Sequence, residues 1–140
     1  IGGLGAPYWR TDIESRFIGK ECSKASNKEK LIAVLESIAF LITVLTELLS
    51  KSPPQLESLT LSGGMSNNTA LCQMLADLSG YHVKSPSEVE ASALGSIWWL
   101  AGSPKKWLPK LKYQYYVPQE NADLNKRYKL WKVEMDKLLK

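Results

Sequence analysis

The segment Ser62-Gly63-Gly64-Met65-Ser66-Asn67-Asn68 holds the residues whose types and spacing could do chemistry. Glycine lacks a Cβ, so two in succession can take positive φ and let a flat or charged ligand come close to the main chain. A helix is expected to begin just after them. Its first turn would offer unpaired N–H groups and a partial positive charge, a setting suited to phosphate or another anion. A glycine pair between a strand and a helix is also what an ordinary tight turn requires, and on this segment alone the two readings stay open.

The elements that must position the turn lie on either side of it. Leu59, Thr60 and Leu61 form a short β-favouring run, and Leu71, Met74, Leu75 and Leu78 recur at the three-and-four spacing of a helix face. Ser66 or Asn67 is the expected N-cap of that helix. Gly80 stands where a C-cap glycine would, and Tyr81-His82-Val83-Lys84 follows as a strand. Ser87-Glu88-Val89-Glu90 has the Ser-x-x-Glu spacing of a capping box and opens a second helix, EVEASALGSIWWLAG. In it Ala91, Ser92, Ala93 and Gly95 permit close approach, while Trp98, Trp99 and Leu100 supply bulk for a core or an interdomain seam.

Upstream, residues 1 to 9, IGGLGAPYW, make a sharply bending connector whose Tyr8 and Trp9 rings are expected to be buried. RFIGK, residues 16 to 20, reads as a short strand. Ser26-Asn27-Lys28-Glu29 is another capping box, and the helix it opens runs through Leu48-Leu49 until Ser52-Pro53-Pro54 stops it. This run is apolar enough to invite comparison with a membrane span. Glu36 and Glu47 inside it would be costly in lipid, so a helix buried against a sheet is expected. Downstream, Gly102-Ser103-Pro104 breaks the chain, Lys105 to Lys112 is a basic connector, and Tyr113 to Val117 is a β-type run. Leu124, Tyr128, Trp131, Met135 and Leu138 then mark an amphipathic helix whose stripe is expected to dock on a parent protein. The alternation of strand and helix argues an α/β domain with a parallel segment. Ligands of such sheets gather at the carboxyl ends of the strands, where the Gly63-Gly64 turn lies.

A chain of 140 residues with 44% hydrophobic content and five tryptophans can bury a core, which excludes disorder. Cys22 and Cys72 lie far apart and His82 is the single histidine, so a zinc site or a Cys-His nucleophile has little material to draw on. Two reduced thiols of a cytoplasmic protein are expected. Of the net charge of +4, residues 1–104 contribute eight basic and ten acidic side chains and residues 105–140 ten and four. That basic tail reads as the solvated face of a terminal helix, not as a nucleic-acid or membrane contact. The chain opens Ile1-Gly2-Gly3 with neither a methionine nor a leader pattern, and is expected to be a piece of something longer.

Four stretches, in order, resemble one family. GLGAPYW at residues 3–9, LESIAF at 35–40, LSGGMSNN at 61–68 and EASALGSIWWLAG at 90–102 are similar to segments of the FGGY carbohydrate kinases, and GLGAPYW with the tail around Tyr128 and Trp131 looks most like their glycerol kinase branch. The resemblance implies part of an actin-like, ribonuclease-H-like ATPase domain. On it, residues 1–104 are a partial C-terminal kinase domain, and 105–140 are a basic extension whose strand and helix pack on it. It also implies ATP and Mg2+ as cofactors, a polyol or sugar as substrate, the rest of the kinase chain as partner, and a full-length protein able to form a homo-oligomer.

Carried over residue by residue, the resemblance makes Gly64 and Asn68 nucleotide contacts, with Gly63 allowing the turn. An amide on the first helical turn can donate to and accept from a nucleotide, in keeping with that role. Met65 would pack beside the adenine. Two departures stand out: Trp9 is followed by Arg10-Thr11-Asp12 where the family continues with aspartate and an Ala-Arg-Gly segment, and Ser62 stands where many relatives carry aspartate. The family's general base, an aspartate upstream of the GLGAPYW loop, lies outside residues 1–140. No catalytic residue is therefore assigned in this chain, Asp12 and Asp77 included. Phosphoryl transfer depends on groups converging on the γ-phosphate, so the fragment alone is expected to be inactive. A non-catalytic nucleotide-binding scaffold, or a kinase for a pentulose, is the competing expectation.

Overall fold

A computed structural model describes residues 5–19, 22–53, 55–87, 90–107 and 111–140. It forms two compact units, one of Ile1–Leu56 with Glu120–Lys140 and one of Glu57–Gln119.

The first unit is built on a helix pair, α1 (Asn27–Leu49) and α4 (Ala122–Leu138). α1 starts at the expected capping box: Ser26 Oγ accepts from Glu29 N (3.3 Å), and Ser26 N donates to the Glu29 carboxylate (2.8 Å). It ends at Leu49, just short of Ser52-Pro53. Within this unit α1 meets α4, where a sheet was expected. The Phe40 ring lies 5.4 Å from Tyr128 and 5.6 Å from Trp131. Arg127 makes a forked ion pair to Glu36, with nitrogen-to-oxygen distances of 2.7, 3.0 and 3.1 Å. Tyr128 Oη and Lys132 Nζ both donate to Glu47, at 2.7 and 2.5 Å. The stripe on α4 thus docks inside its own unit, because it brings the aromatics that fit Phe40 and the cations that match both α1 carboxylates. By length and composition α1 could cross a membrane. Both carboxylates within it have partners on α4, as a helix packed on protein requires.

The RFIGK strand does not form over its described part: Arg16–Gly19 is irregular, with Phe17 and Ile18 half exposed and Gly19 at φ 141°. It lacks alternation, and among the described residues no strand pairs with it. Lys20 falls outside the described residues. In the GLGAPYW loop the Tyr8 and Trp9 N–H groups both donate to Gly5 O. Tyr8 is half buried beside Asp136, Lys132 and Glu47, and its hydroxyl is pushed up by burial first and by Asp136 next. Trp9 is 77% exposed with φ 51°, contrary to the expected burial, because the turn closing on Gly5 directs its ring outward.

The second unit carries a three-stranded sheet in the order β1 (Ser58–Thr60), β2 (His82–Pro86), β3 (Tyr113–Tyr116). β1 runs parallel to β2, and β3 antiparallel to it. Between β1 and β2 the chain crosses over through α2 (Thr69–Ser79), which packs on β2 and β3. Leu71, Cys72, Leu75 and Ala76 of α2 are buried, as are Val83 and Ser85, two apart on the same face of β2. Burying each leucine contributes about 1.5–3 kcal/mol, so α2 and β2 form the rigid part of this unit. Gly80 ends α2 in the left-handed conformation, φ 72°.

α3 (Ala91–Leu100) begins later than the Ser87 capping box would place it. Glu88 and Val89 fall outside the described residues, and Ser87 N donates to Lys112 O at 2.8 Å, which binds Ser87 to the sheet margin instead. No α3 residue is buried; Trp98 Nε1 donates to Pro104 O, while Trp99 and Leu100 face outward. Of the two expected uses of this bulk, a core or an interdomain seam, burial in a core is not met within this unit.

Candidate functional site

The strand-turn-helix junction is built from the sheet outward. Leu61 N donates to Lys84 O (2.9 Å), one bond beyond the end of β1, so the chain leaves the sheet only at Ser62. Gly63 then takes φ 88°, ψ 174°, a backbone that disfavours a side chain. Residues Gly64–Asn67 form one 3₁₀ turn, in which Ser66 N and Ser66 Oγ both donate to Gly63 O, at 2.9 and 2.7 Å. The turn leads directly into α2. Its N-cap is Asn68, one residue after Asn67 and two after Ser66, the expected caps, because the 3₁₀ turn consumes both. Asn68 Oδ1 accepts from Leu71 N at 3.1 Å.

The three residues carried over from the resemblance are brought together here, on the consecutive stretch from Gly63 to Asn68 at the carboxyl end of β1. Gly64 is exposed and its φ is ordinary, and among the described residues, chain neighbours aside, no heavy atom lies within 4 Å of where a Cβ on Gly63 or Gly64 would stand. Neither backbone strain nor internal crowding demands a glycine at 64. With Oδ1 engaged as the cap, Asn68 keeps its Nδ2 as a donor. The first N–H groups of α2 lack intrahelical partners, as at any helix start. Met65 is 46% exposed beside them. A shallow depression next to the turn extends from Ser66 and Asn67 over Ser85 and Ser87 to Lys112 and Tyr113.

Three residues that sequence reasoning did not assign to the site hold the turn in place. Ser66 is 3% exposed, and its carbonyl accepts from Ser85 Oγ on β2 (3.1 Å) and from Cys72 Sγ on α2 (3.4 Å). The signal available was phase: Ser85 falls on the Val83 face of β2 and Cys72 beside Leu71, both polar residues at buried positions. Burial first, against a hydrogen bond with Tyr116, pushes the Cys72 thiol up, so it stays a neutral donor.

The aspartates that were set aside have structural partners. Asp12 is exposed and ion-paired to Arg10, whose hydrogen bonds hold its carboxyl down at about 2. Asp77 accepts from Gln73 Nε2 (2.7 Å) and from Gln119 N (3.0 Å).

The profile of the C-terminal domain of the FGGY family of carbohydrate kinases matches residues 1–101, which include the whole junction. The chain belongs to the FGGY family. A glycerol kinase from Desulforamulus reducens is 33% identical over 144 residues, covering 94% of this chain and 28% of that relative. Another, from Shewanella amazonensis, is 38% identical over 96 residues, covering 67% of this chain and 19% of the relative. Glycerol kinase from Plasmodium falciparum, solved with ADP, superposes with a TM-score of 0.69 at 21% identity, over 99% of this chain and 28% of that one. Xylulose kinase from Lactobacillus acidophilus gives 0.67 at 19% identity, over 94% and 28%. The fold is thus part of the actin-like ATPase architecture of FGGY kinases. The chain spans less than a third of the length of these FGGY relatives.

Proposed function

We propose that this chain is the nucleotide-binding part of an ATP-dependent carbohydrate kinase that transfers the γ-phosphoryl group to a hydroxyl of a polyol or sugar, with glycerol the leading substrate. The observation that carries the reading is Gly64, a glycine that nothing inside the chain requires, facing open space at the carboxyl end of a parallel strand. Gly63 shapes the turn, Gly64 admits the nucleotide against bare backbone, and Asn68 Nδ2 donates to it. The glycerol kinase relatives support the choice of glycerol, and the xylulose kinase likeness keeps a pentulose as the substrate to test beside it.

Bound ATP would supply the phosphoryl group. This chain's share is to hold the nucleotide and keep its base and sugar in register. Among the described residues no group of three His, Cys, Asp or Glu could hold a metal ion. In this reading Mg2+ is held by the nucleotide phosphates and by the parts of the kinase this chain does not span, which also hold the catalytic general base and most substrate contacts. The chain alone transfers no phosphoryl group. Its domain organisation follows the same reading, with residues 1–104 as the kinase part and 105–140 as its extension, in a cytoplasmic protein.

The test is ADP titration of the chain, followed by the amide signals of Gly63, Gly64 and Asn68, beside Gly64→Val. A bulky side chain at 64 should abolish the response and leave the remaining amide spectrum in place. A Gly64→Val chain that binds ADP as the parent does would refute the placement. In the full-length protein, a coupled ADP-release assay silent for glycerol and pentuloses alike would refute the activity.

A further inference from the structure

The Ser66 carbonyl is a buried oxygen at the centre of the nucleotide turn, and two elements converge on it. Ser85 Oγ reaches it from β2 at 3.1 Å and Cys72 Sγ from the first turn of α2 at 3.4 Å. Ser66 Oγ in turn donates to Gly63 O at 2.7 Å, fixing the peptide that precedes Gly64. A carbonyl has two lone pairs, and these two donors can satisfy both. Ser85 is 6% exposed and Cys72 fully buried, which puts both polar groups on a face otherwise given to Leu71, Leu75 and Val83. An apolar residue of similar size would pack at either place, so packing alone does not account for the hydroxyl or the thiol.

We propose that Ser85 and Cys72 are positioning residues for nucleotide binding, clamping the Ser66 carbonyl from β2 and α2 so that the main chain at Gly63 and Gly64 is held open for the ligand. The clamp rests on the nucleotide reading of the turn. It acts through the backbone: neither side chain is assigned a contact with the nucleotide. Releasing one donor lets the 3₁₀ turn sample other peptide orientations, and binding then costs the ordering of that turn.

The test uses the 140-residue chain, ADP as the probe and amide signals as the readout, with thermal unfolding in parallel. Ser85→Ala and Cys72→Ala should each weaken ADP binding about three- to tenfold, the range of one lost hydrogen bond. Cys72→Ser, which keeps a donor, should bind as the parent does. Gly80→Ala, at the far end of α2, should lower the melting temperature without changing ADP affinity, which separates positioning from general stability. If Ser85→Ala does not fold, the Cys72→Ala and Cys72→Ser pair carries the test. Unchanged affinity in Cys72→Ala and Ser85→Ala beside a lost response in Gly64→Val would overturn the clamp and leave the nucleotide site standing. Affinity that falls only in step with melting temperature, as for a purely structural residue, would overturn it too. If the full-length kinase that carries this chain gives no ADP response, the nucleotide reading fails and the clamp with it.

Discussion

Asn68 has two duties that can be pulled apart by two substitutions. Its Oδ1 caps α2 through Leu71 N at 3.1 Å, and its Nδ2 is the donor assigned to the nucleotide. Asn68→Ala removes both. Loss of an N-cap costs about 1 kcal/mol, within a range of roughly 0.5–2. Asn68→Asp keeps a cap oxygen and adds a negative charge at the positive end of α2, a change worth about 0.3–1 kcal/mol in favour of the helix. It also removes the donor and sets a carboxylate against an anionic ligand. A hydrogen bond to a charged group contributes about 1.5–3 kcal/mol, so loss of the donor alone should weaken ADP binding by roughly tenfold to over a hundredfold. Urea denaturation reads the first quantity and ADP titration the second. The expected pattern is a destabilised, weakly binding Asn68→Ala and a stable, weakly binding Asn68→Asp. An Asn68→Asp chain that binds ADP like the parent would refute the contact, and an Asn68→Ala chain of full stability would refute the cap.

Glu47 links stability to pH. Burial pushes its carboxyl up, but the hydrogen bonds from Lys132 and Tyr128 outweigh this and hold it below the ordinary 4.5. A carboxyl depressed in the folded state stabilises fully above its unfolded value and loses that contribution as pH falls through the folded one. Glu47→Gln should therefore be less stable near neutrality and show a flatter loss on acidification below about 4.5. Parallel acid limbs for the two proteins in urea denaturation would contradict this. Gly80→Ala places a side chain at φ 72° and should lower stability by about 1–2 kcal/mol, the cost of a left-handed residue; an unchanged urea midpoint would show that the helix end relaxes freely.

Local rules carried much of this fold. The Ser26 box, the Gly80 cap, the Leu71 and Leu75 stripe and the strand around Val83 each depend on near neighbours, and each formed where it was expected. What depended on distant partners was not legible. Arg127 and Glu36 are 91 residues apart, and no local pattern announces that α4 would turn its stripe on α1. RFIGK had strand-like composition, but among the described residues no strand pairs with it. Ser87 had capping spacing, yet a backbone bond to Lys112 claimed it first. The candidate site divides in the same way. Gly63, Gly64 and Asn68 lie in one run of six residues, so a resemblance could carry them together. Ser85 lies 19 residues from Ser66, and only the folded sheet brings it to that carbonyl.

The two glycines look equivalent in the sequence, and the structure makes them different. Gly63 has an internal reason: φ 88° is a conformation that a side chain resists, and the turn cannot start without it. Gly64 has none, since its backbone is ordinary and its Cβ position is empty. On the proposed reading the first glycine serves the fold and the second serves the nucleotide. Asn68 joins the two, because the amide that starts α2 also presents a donor to the same space. Moving that donor means moving the helix start, and the helix start is pinned through Ser66 to β2. Phosphoryl transfer draws mainly on positioning and electrostatic stabilisation. On the proposed nucleotide reading, a wall whose ligand-facing amide is also a helix cap would derive its positional accuracy from the stability of the sheet behind it.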